Sequence, residues 1–145
     1  MNVYKELKDK QQAEFNKFPL GAAFNQKQFE EMMNKWNLTV DDTDKICSIG
    51  FGCCIRKDDK DAYLEMVKRH KQERLDAVAS DKTGNGYIKD MFLYELANHE
   101  YCITYDLEDT LDALCLTVEQ VNADKRLLNG LNKAIKQYLK NYKDY

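Results

Sequence analysis

Proline and glycine are scarce in this chain. Pro19 is its one proline, and six glycines are spread over 145 residues, so few positions interrupt a helix. A hydrophobic content of 43% and a charged content of 32% are typical of a soluble globular protein rather than of a disordered one. We therefore predict a mainly α fold. It is a single domain over residues 1–145 with about five to six helices and one small β-hairpin at about residues 45–56.

Long hydrophobic runs are also missing. No apolar segment approaches the roughly 20 residues that a membrane-spanning helix requires. The amino-terminal segment MNVYKELKDKQQAEF is charged and amphipathic, unlike a signal peptide. The five cysteines are Cys47, Cys53, Cys54, Cys102 and Cys115. Their odd number and the lack of a disulfide framework predict reduced thiols, a cytoplasmic location and no membrane partner.

Lysine and arginine are absent from residues 90–124, where nine carboxylates lie. These are Asp90, Glu95, Glu100, Asp106, Glu108, Asp109, Asp112, Glu119 and Asp124. Residues 125–145 hold six basic residues against Asp144 alone. Either the two segments pair with each other inside the domain, or the carboxylates form an exposed surface that docks onto a basic protein. For the second alternative, the predicted binding residues are Asp106, Glu108, Asp109, Asp112 and Glu119.

Apolar periodicity predicts where the helices lie. Apolar residues between 87 and 101 fall on more than one side of a 3.6-residue helix, which predicts a central helix covered by the others. Further helices are predicted at about 3–18, after an N-cap at Asn25, at 58–80, at 107–116 and from 125 onward, with a break at 102–105. Thr117 and Gln120 have the spacing of a capping box for one more helical turn.

The segment 81–92, DKTGNGYIKDMF, resembles an EF-hand calcium loop in part. Asp81, Thr83 and Asn85 stand at ligand positions, and Gly86 stands at the sharp turn. The last ligand position, which normally carries a bidentate Glu, holds Phe92. We therefore predict a helix–turn–helix connection and no metal site.

Glu95, His99 and Glu100 are the candidates for chemistry. Glu95 and His99 are four residues apart on one helical face, and a carboxylate–imidazole pair can act as a general acid/base or hold a metal. The segment has neither HExxH nor a paired Glu-x-x-His pattern, so a small enzyme or metal-dependent protein is the alternative interpretation. We favour a non-enzymatic protein with no catalytic residue and no cofactor.

A third alternative is a binder of a small ligand, such as a nucleotide signal. It would need a pocket lined by some of Arg56, Lys57, Arg69 and the tyrosines. Direct contact with a nucleic acid duplex is disfavoured by the sequence pI near 5.5 and by the acids interleaved among the basic residues.

Three stretches carry a resemblance to a known family. They are FPLGAAFNQKQFEEM (18–32), TDKICSIGFGCCIRK (43–57) and DKTGNGYIKDMFLYELANHEYCITYDLEDTLDALCLT (81–117). Together they resemble a family of uncharacterised small proteins from plasmids, integrative elements and prophages of Firmicutes, which has no established catalytic residues. Small accessory proteins of mobile elements often antagonise host defence by binding. The resemblance thus implies a protein of anti-CRISPR or anti-restriction type that contacts its partner through the acidic residues.

Overall fold

The fold is built mainly from α-helices, with one small antiparallel sheet. A computed structural model describes residues 1–143. Its elements, in chain order, are α1 (Val3–Lys17), β1 (Gly21–Ala22), α2 (Gln26–Lys35), β2 (Ile46–Gly50), β3 (Cys53–Arg56), α3 (Lys60–Ser80), α4 (Tyr87–Asn98), α5 (Tyr101–Thr104), α6 (Glu108–Ala113), α7 (Val118–Ala123) and α8 (Lys125–Lys143). The predicted mainly α fold with a hairpin near residues 45–56 is confirmed.

The described residues contain eight α-helices, which is more than the pattern indicated. The additional ones are α5, where a break at 102–105 was predicted, and α7, which was predicted as a single capped turn. α5 is four residues long and is flanked by Glu100 and Tyr105, both in the left-handed conformation. Neither residue is a glycine, so the sequence does not indicate that these two positions are left-handed.

Contacts divide the chain into two compact units. The first comprises Met1–Gln11 and Gln72–Tyr145, and the second comprises Gln12–Lys71. The boundaries fall within α1 and α3. The prediction of a single domain over residues 1–145 stays a prediction. Among residues 1–143, no helix combines the length and hydrophobicity that crossing a lipid bilayer requires.

The core of the first unit lies between α4 and α8. Ile88, Phe92 and Leu96 of α4 are fully buried, and α8 contributes Leu127, Leu131, Ala134 and Tyr138. Gly130 permits the close approach of the two helices, because a Cβ there would lie 2.5 Å from Ile88 Cγ2. The prediction that α4 is the central helix is confirmed. Burial of each large apolar side chain stabilises the unit by about 1.5–3 kcal/mol.

Local capping signals place the ends of two helices. In the first unit, the Thr117 side chain accepts a hydrogen bond from Gln120 N at 3.1 Å. The Gln120 side chain accepts one from Thr117 N at 2.9 Å. In the second unit, the Asn25 side chain accepts one from Gln28 N at 2.8 Å. The predicted capping box and N-cap are both confirmed.

The second unit contains a three-stranded antiparallel sheet in the order β1-β3-β2. The predicted hairpin is β2 and β3, and the two-residue strand β1 was not predicted. Gly21 of β1 lies so close to α2 that a Cβ there would be 2.5 Å from the Met32 side chain. A strand of two residues has no alternation, so its pairing with β3 leaves no pattern in the sequence.

Candidate functional site

The five predicted binding carboxylates are all exposed. Glu108, Asp109 and Asp112 lie on α6, Asp106 precedes that helix, and Glu119 lies in the first turn of α7. Among residues 1–142, whose side chains the structure describes, none of the five forms an ion pair with a lysine, arginine or histidine. We refer to these five residues as the acidic surface. Asp124, another of the nine carboxylates, pairs with Arg126 of α8 at 3.0 Å.

The local sequence explains why α6 presents its acids outward. Thr110 and Leu111 are buried, and the acids at 108, 109 and 112 occupy the opposite side of the short helix. Asp106 Oδ1 accepts a hydrogen bond from Glu108 N at 2.9 Å, which orients the Asp106 carboxylate at the start of the helix. Carboxylates at this end of a helix are also favoured by the helix dipole.

Exposed apolar residues lie next to the acids in the sequence. Ile103 and Tyr105 are each 67% exposed just before α6, and Val118 is 56% exposed at the start of α7. The Tyr105 ring contacts the Tyr101 ring edge-on, with centroids 5.7 Å apart. These exposed apolar side chains are neighbours of the acids in the sequence.

Of the nine carboxylates, Asp90 and Glu95 accept hydrogen bonds from α1 and are not part of the acidic surface. Glu95 is 2% exposed, and Asp90 Oδ2 accepts a hydrogen bond from Val3 N at 3.0 Å. The interpretation of a continuous surface from Asp90 to Asp124 is therefore wrong at its amino-terminal end. Both carboxylates instead fasten the start of α1 to α4.

Glu95 is the centre of a buried polar network. Its Oε1 accepts hydrogen bonds from the Tyr4 hydroxyl at 2.7 Å and from Lys8 Nζ at 3.2 Å. Burial raises the pKa of Glu95, but the Tyr4 hydrogen bond and the Lys8 charge outweigh burial, so the pKa lies below its ordinary value. Burial, followed by the hydrogen bond to Glu95, raises the pKa of Tyr4. Glu95 is thus held as a carboxylate.

The structure brings together two of the three residues proposed for chemistry. His99 Nε2 lies 3.3 Å from Glu95 Oε2, although this buried nitrogen has no aligned hydrogen-bond partner. Glu100 is exposed in a left-handed conformation with φ of 53°. Because Tyr4 and Lys8 already donate to Glu95, the network works as an anchor for α1. Sequence reasoning missed these two donors, which are about ninety residues away along the chain.

The calcium-like loop carries internal partners at its ligand positions. Both Asp81 oxygens accept backbone hydrogen bonds, from Gly84 N at 2.8 Å, from Gly86 N at 3.0 Å and from Ile88 N at 3.0 Å. Lys133 Nζ lies 2.5 Å from Asn85 Oδ1. Within residues 1–143, no group of three or more His, Cys, Asp or Glu side chains is arranged to hold a metal ion.

Replacing Asp81 with asparagine is expected to destabilise the first unit by about 1–3 kcal/mol at neutral pH, because one oxygen that accepts amide hydrogens is lost. Partial burial raises the pKa of Asp81, but the backbone donors lower it further, so the net direction is down. This contribution to stability is present above the pKa of the unfolded chain and is lost as the pH falls through the lower pKa of the folded chain. Urea unfolding between pH 2 and 7 should show a shallower acid-side decline in Asp81→Asn than in wild type. A parallel decline in both proteins would contradict this role.

The second unit holds a cavity of about 390 Å³ between the end of α1 and the first half of α3, and this cavity is broadly open to solvent. Its apolar lining comes from Phe18, Pro19, Ala62 and Met66, and Glu14, Lys17, Glu65 and Arg69 lie around it. Glu14 pairs with Arg69 and with His70, and these hydrogen bonds lower the pKa of Glu14 to about 2. Of the basic residues predicted for a ligand pocket, Arg69 lines this cavity, whereas Arg56 pairs with Asp59 at 3.0 Å.

Three cysteines lie in the sheet of the second unit. Cys47 is in β2, and Cys53 and Cys54 are in β3, all partly buried. Burial raises the pKa of Cys54, and the neighbouring thiols Cys53 and Cys47 raise it further. A raised thiol pKa disfavours the nucleophilic thiolate, so Cys54 serves as a small packing residue.

Comparison with known proteins defines the family of this chain. No curated protein and no solved structure is significantly similar to it. One family model, described as a family of unknown function (DUF7659), matches residues 3–137, which is most of the chain. The match includes the residues of the Glu95 network and of the acidic surface. The protein belongs to this family of unknown function, DUF7659.

Proposed function

We propose that the chain is a non-enzymatic binding protein that docks onto a basic surface of a protein partner through its acidic surface. The observation that carries this proposal is that all five carboxylates are exposed and lack an ion-pair partner among the side chains of residues 1–142. Desolvating five such groups against an apolar partner would be costly, whereas lysines and arginines would compensate their charge.

The exposed apolar residues supply the other part of the interaction. Tyr105 and Ile103 precede Asp106 in the chain, and Val118 precedes Glu119. Aromatic and aliphatic side chains at the centre of an interface contribute most of its affinity, while surrounding charges guide association and exclude wrong partners. We expect Tyr105 to act as an anchor, with the carboxylates setting the salt dependence of binding.

The resemblance to proteins of Firmicutes mobile elements supports the biological role that we propose. A small protein carried by a plasmid or phage gains from inhibiting host defence, and defence nucleases need basic surfaces to bind nucleic acid. An acidic surface can occupy such a surface by charge complementarity. The protein is proposed to be an antagonist of anti-CRISPR or anti-restriction type.

The triple variant Glu108→Lys/Asp109→Lys/Asp112→Lys is expected to lose partner binding, because like charges then face each other. Tagged wild type and variant would each be used to capture proteins from a Firmicutes lysate at low and moderate salt. The captured protein would be purified, and its affinity would be measured by isothermal titration calorimetry. We expect affinity to fall at least a hundredfold, which is about 2.7 kcal/mol, and wild-type binding to weaken with salt.

A matched variant distinguishes the effect of the acidic surface on binding from the effect of the protein's net charge. Glu30→Lys/Glu31→Lys/Asp41→Lys changes three exposed acids outside the acidic surface. Each substitution adds two charges, so both triple variants move from a formal net charge of −3 to +3. The proposal requires that this control retains the partner. Equal retention by both triple variants, or binding that is insensitive to salt, would exclude the acidic surface as the contact.

A further inference from the structure

The tip of the β2–β3 hairpin presents a phenylalanine that does not contribute to the core. The Phe51 side chain is 97% exposed, and its φ of 55° lies in the left-handed region. Its neighbours Gly50 and Gly52 also have positive φ, at 95° and 74°. A left-handed phenylalanine is unfavourable for the backbone, and its exposure is unfavourable in water. Asparagine or glycine would suit the turn better, so the fold gives no reason for Phe51.

The tip is held in place by the strand beside it. Ala23 N donates a hydrogen bond to Gly52 O at 2.9 Å, and the Phe24 ring covers Gly52 so closely that a Cβ there would lie 2.5 Å from Phe24 Cε1. Phe24 is itself 74% exposed. No charged residue occurs between Ile46 and Ile55. The hairpin therefore presents an uncharged aromatic projection that is already ordered before it meets a partner.

The cavity of the second unit has apolar residues that can contact an aromatic side chain such as Phe51. The apolar half of its lining, from Phe18, Pro19, Ala62 and Met66, can contact a phenyl ring that enters from solvent. Four charged residues also line it. Glu14 and Arg69 compensate each other through their ion pair, and Lys17 and Glu65 are exposed to solvent. An uncharged apolar side chain can enter without breaking the Glu14–Arg69 pair, whereas a charged ligand would have to compete with it.

We propose that the occupant of this cavity is Phe51 of a second copy of the protein. The projection and the cavity are both within residues 12–71, so each copy carries both halves of the contact. One inserted side chain covers far less than the roughly 800 Å² per partner of a stable interface. The self-association is therefore weak and concentration-dependent, and it uses a surface different from the acidic surface.

Sedimentation velocity from micromolar to millimolar concentration tests this proposal. The wild-type sedimentation coefficient should rise with concentration. Phe51→Asn removes the ring while asparagine tolerates the left-handed backbone. Ala62→Trp introduces a bulky side chain at an exposed position of the cavity lining and should block entry. Each variant alone should keep the monomer value, and circular dichroism would verify its fold. A mixture of the two should associate again, because one variant retains the cavity and the other retains Phe51.

Leu75→Asn serves as the control, since Leu75 is an exposed apolar residue outside both features, and it should associate like wild type. A wild-type monomer at every concentration would overturn the proposal. Association that survives both Phe51→Asn and Ala62→Trp would also overturn it, because the interface would then lie elsewhere. Phe51-dependent co-sedimentation with phosphatidylcholine vesicles, without self-association, would assign the tip to lipid instead.

Discussion

Replacing Gly84 with alanine is expected to destabilise the first unit by about 3–4 kcal/mol, a cost in the upper range for a point substitution. Gly84 has φ of 87°, and a Cβ there would lie 2.1 Å from the backbone oxygen of Arg126. A flexible side chain could move aside, but a backbone carbonyl in α8 cannot move without its helix. The turn before α4 or the beginning of α8 must therefore shift, and packing between these core helices is lost. Urea unfolding followed by far-ultraviolet circular dichroism would measure the change.

Gly50→Ala provides a matched control for this substitution. Gly50 also has a positive φ, of 95°, but no atom lies within 4 Å of the position that its Cβ would take. The control therefore carries the cost of a left-handed alanine, about 1 kcal/mol, without a steric overlap. If the two substitutions destabilise the protein equally, the contact between Gly84 and Arg126 does not restrain the turn.

Replacing Glu95 with leucine is expected to cost about 2–4 kcal/mol of stability. The Tyr4 hydroxyl is buried beside Glu95 and would lose its acceptor, and the attachment of α1 to α4 through Lys8 would also be lost. Lys8 is half exposed and can reach water, so most of the cost comes from the buried hydroxyl. Thermal and urea unfolding should both report the loss. Glu100→Gln, at an exposed position on the adjoining turn, should leave stability unchanged.

A double-mutant cycle separates the Glu95–Tyr4 hydrogen bond from the packing of the two side chains. Tyr4→Phe, Glu95→Gln and the combined variant should show a coupling free energy of about 1–2 kcal/mol. Because the pKa of Glu95 is lowered in the folded protein, its contribution is present above the unfolded pKa and is lost as the pH falls through the folded pKa. The Glu95→Gln variant should lack that part of the acid-side decline. A coupling energy near zero would show that the 2.7 Å contact adds nothing to stability.

Signals that span a few residues allowed parts of this fold to be predicted. The apolar residues of α4 lie on several sides of the helix, so its central position follows from periodicity alone. The Thr117–Gln120 capping box and the Asn25 cap are complete within four residues. The spacing of β2 and β3 around Gly50 and Gly52 indicated the hairpin. In each case the interacting groups are neighbours in the chain, and their geometry leaves few alternatives.

Contacts between distant segments could not be predicted in this way. The sequence shows that residue 95 is a glutamate. It does not show that Tyr4 and Lys8 of α1 contact this carboxylate and help to bury it. The same limit explains why the pairing of β1 was missed. The exposure of the acidic surface could be anticipated, because α6 carries its buried and acidic positions on opposite sides within six residues.

The turn before α4 receives a cation from α8. The Lys133 ammonium group lies against Asn85, and Asn129 donates a hydrogen bond to Thr83 O at 2.8 Å. A loop that resembles a calcium-binding loop in part is therefore held by a lysine of the protein itself. We therefore expect the beginning of α4 to keep its position at any calcium concentration, because Lys133 and Asn129 already hold the loop.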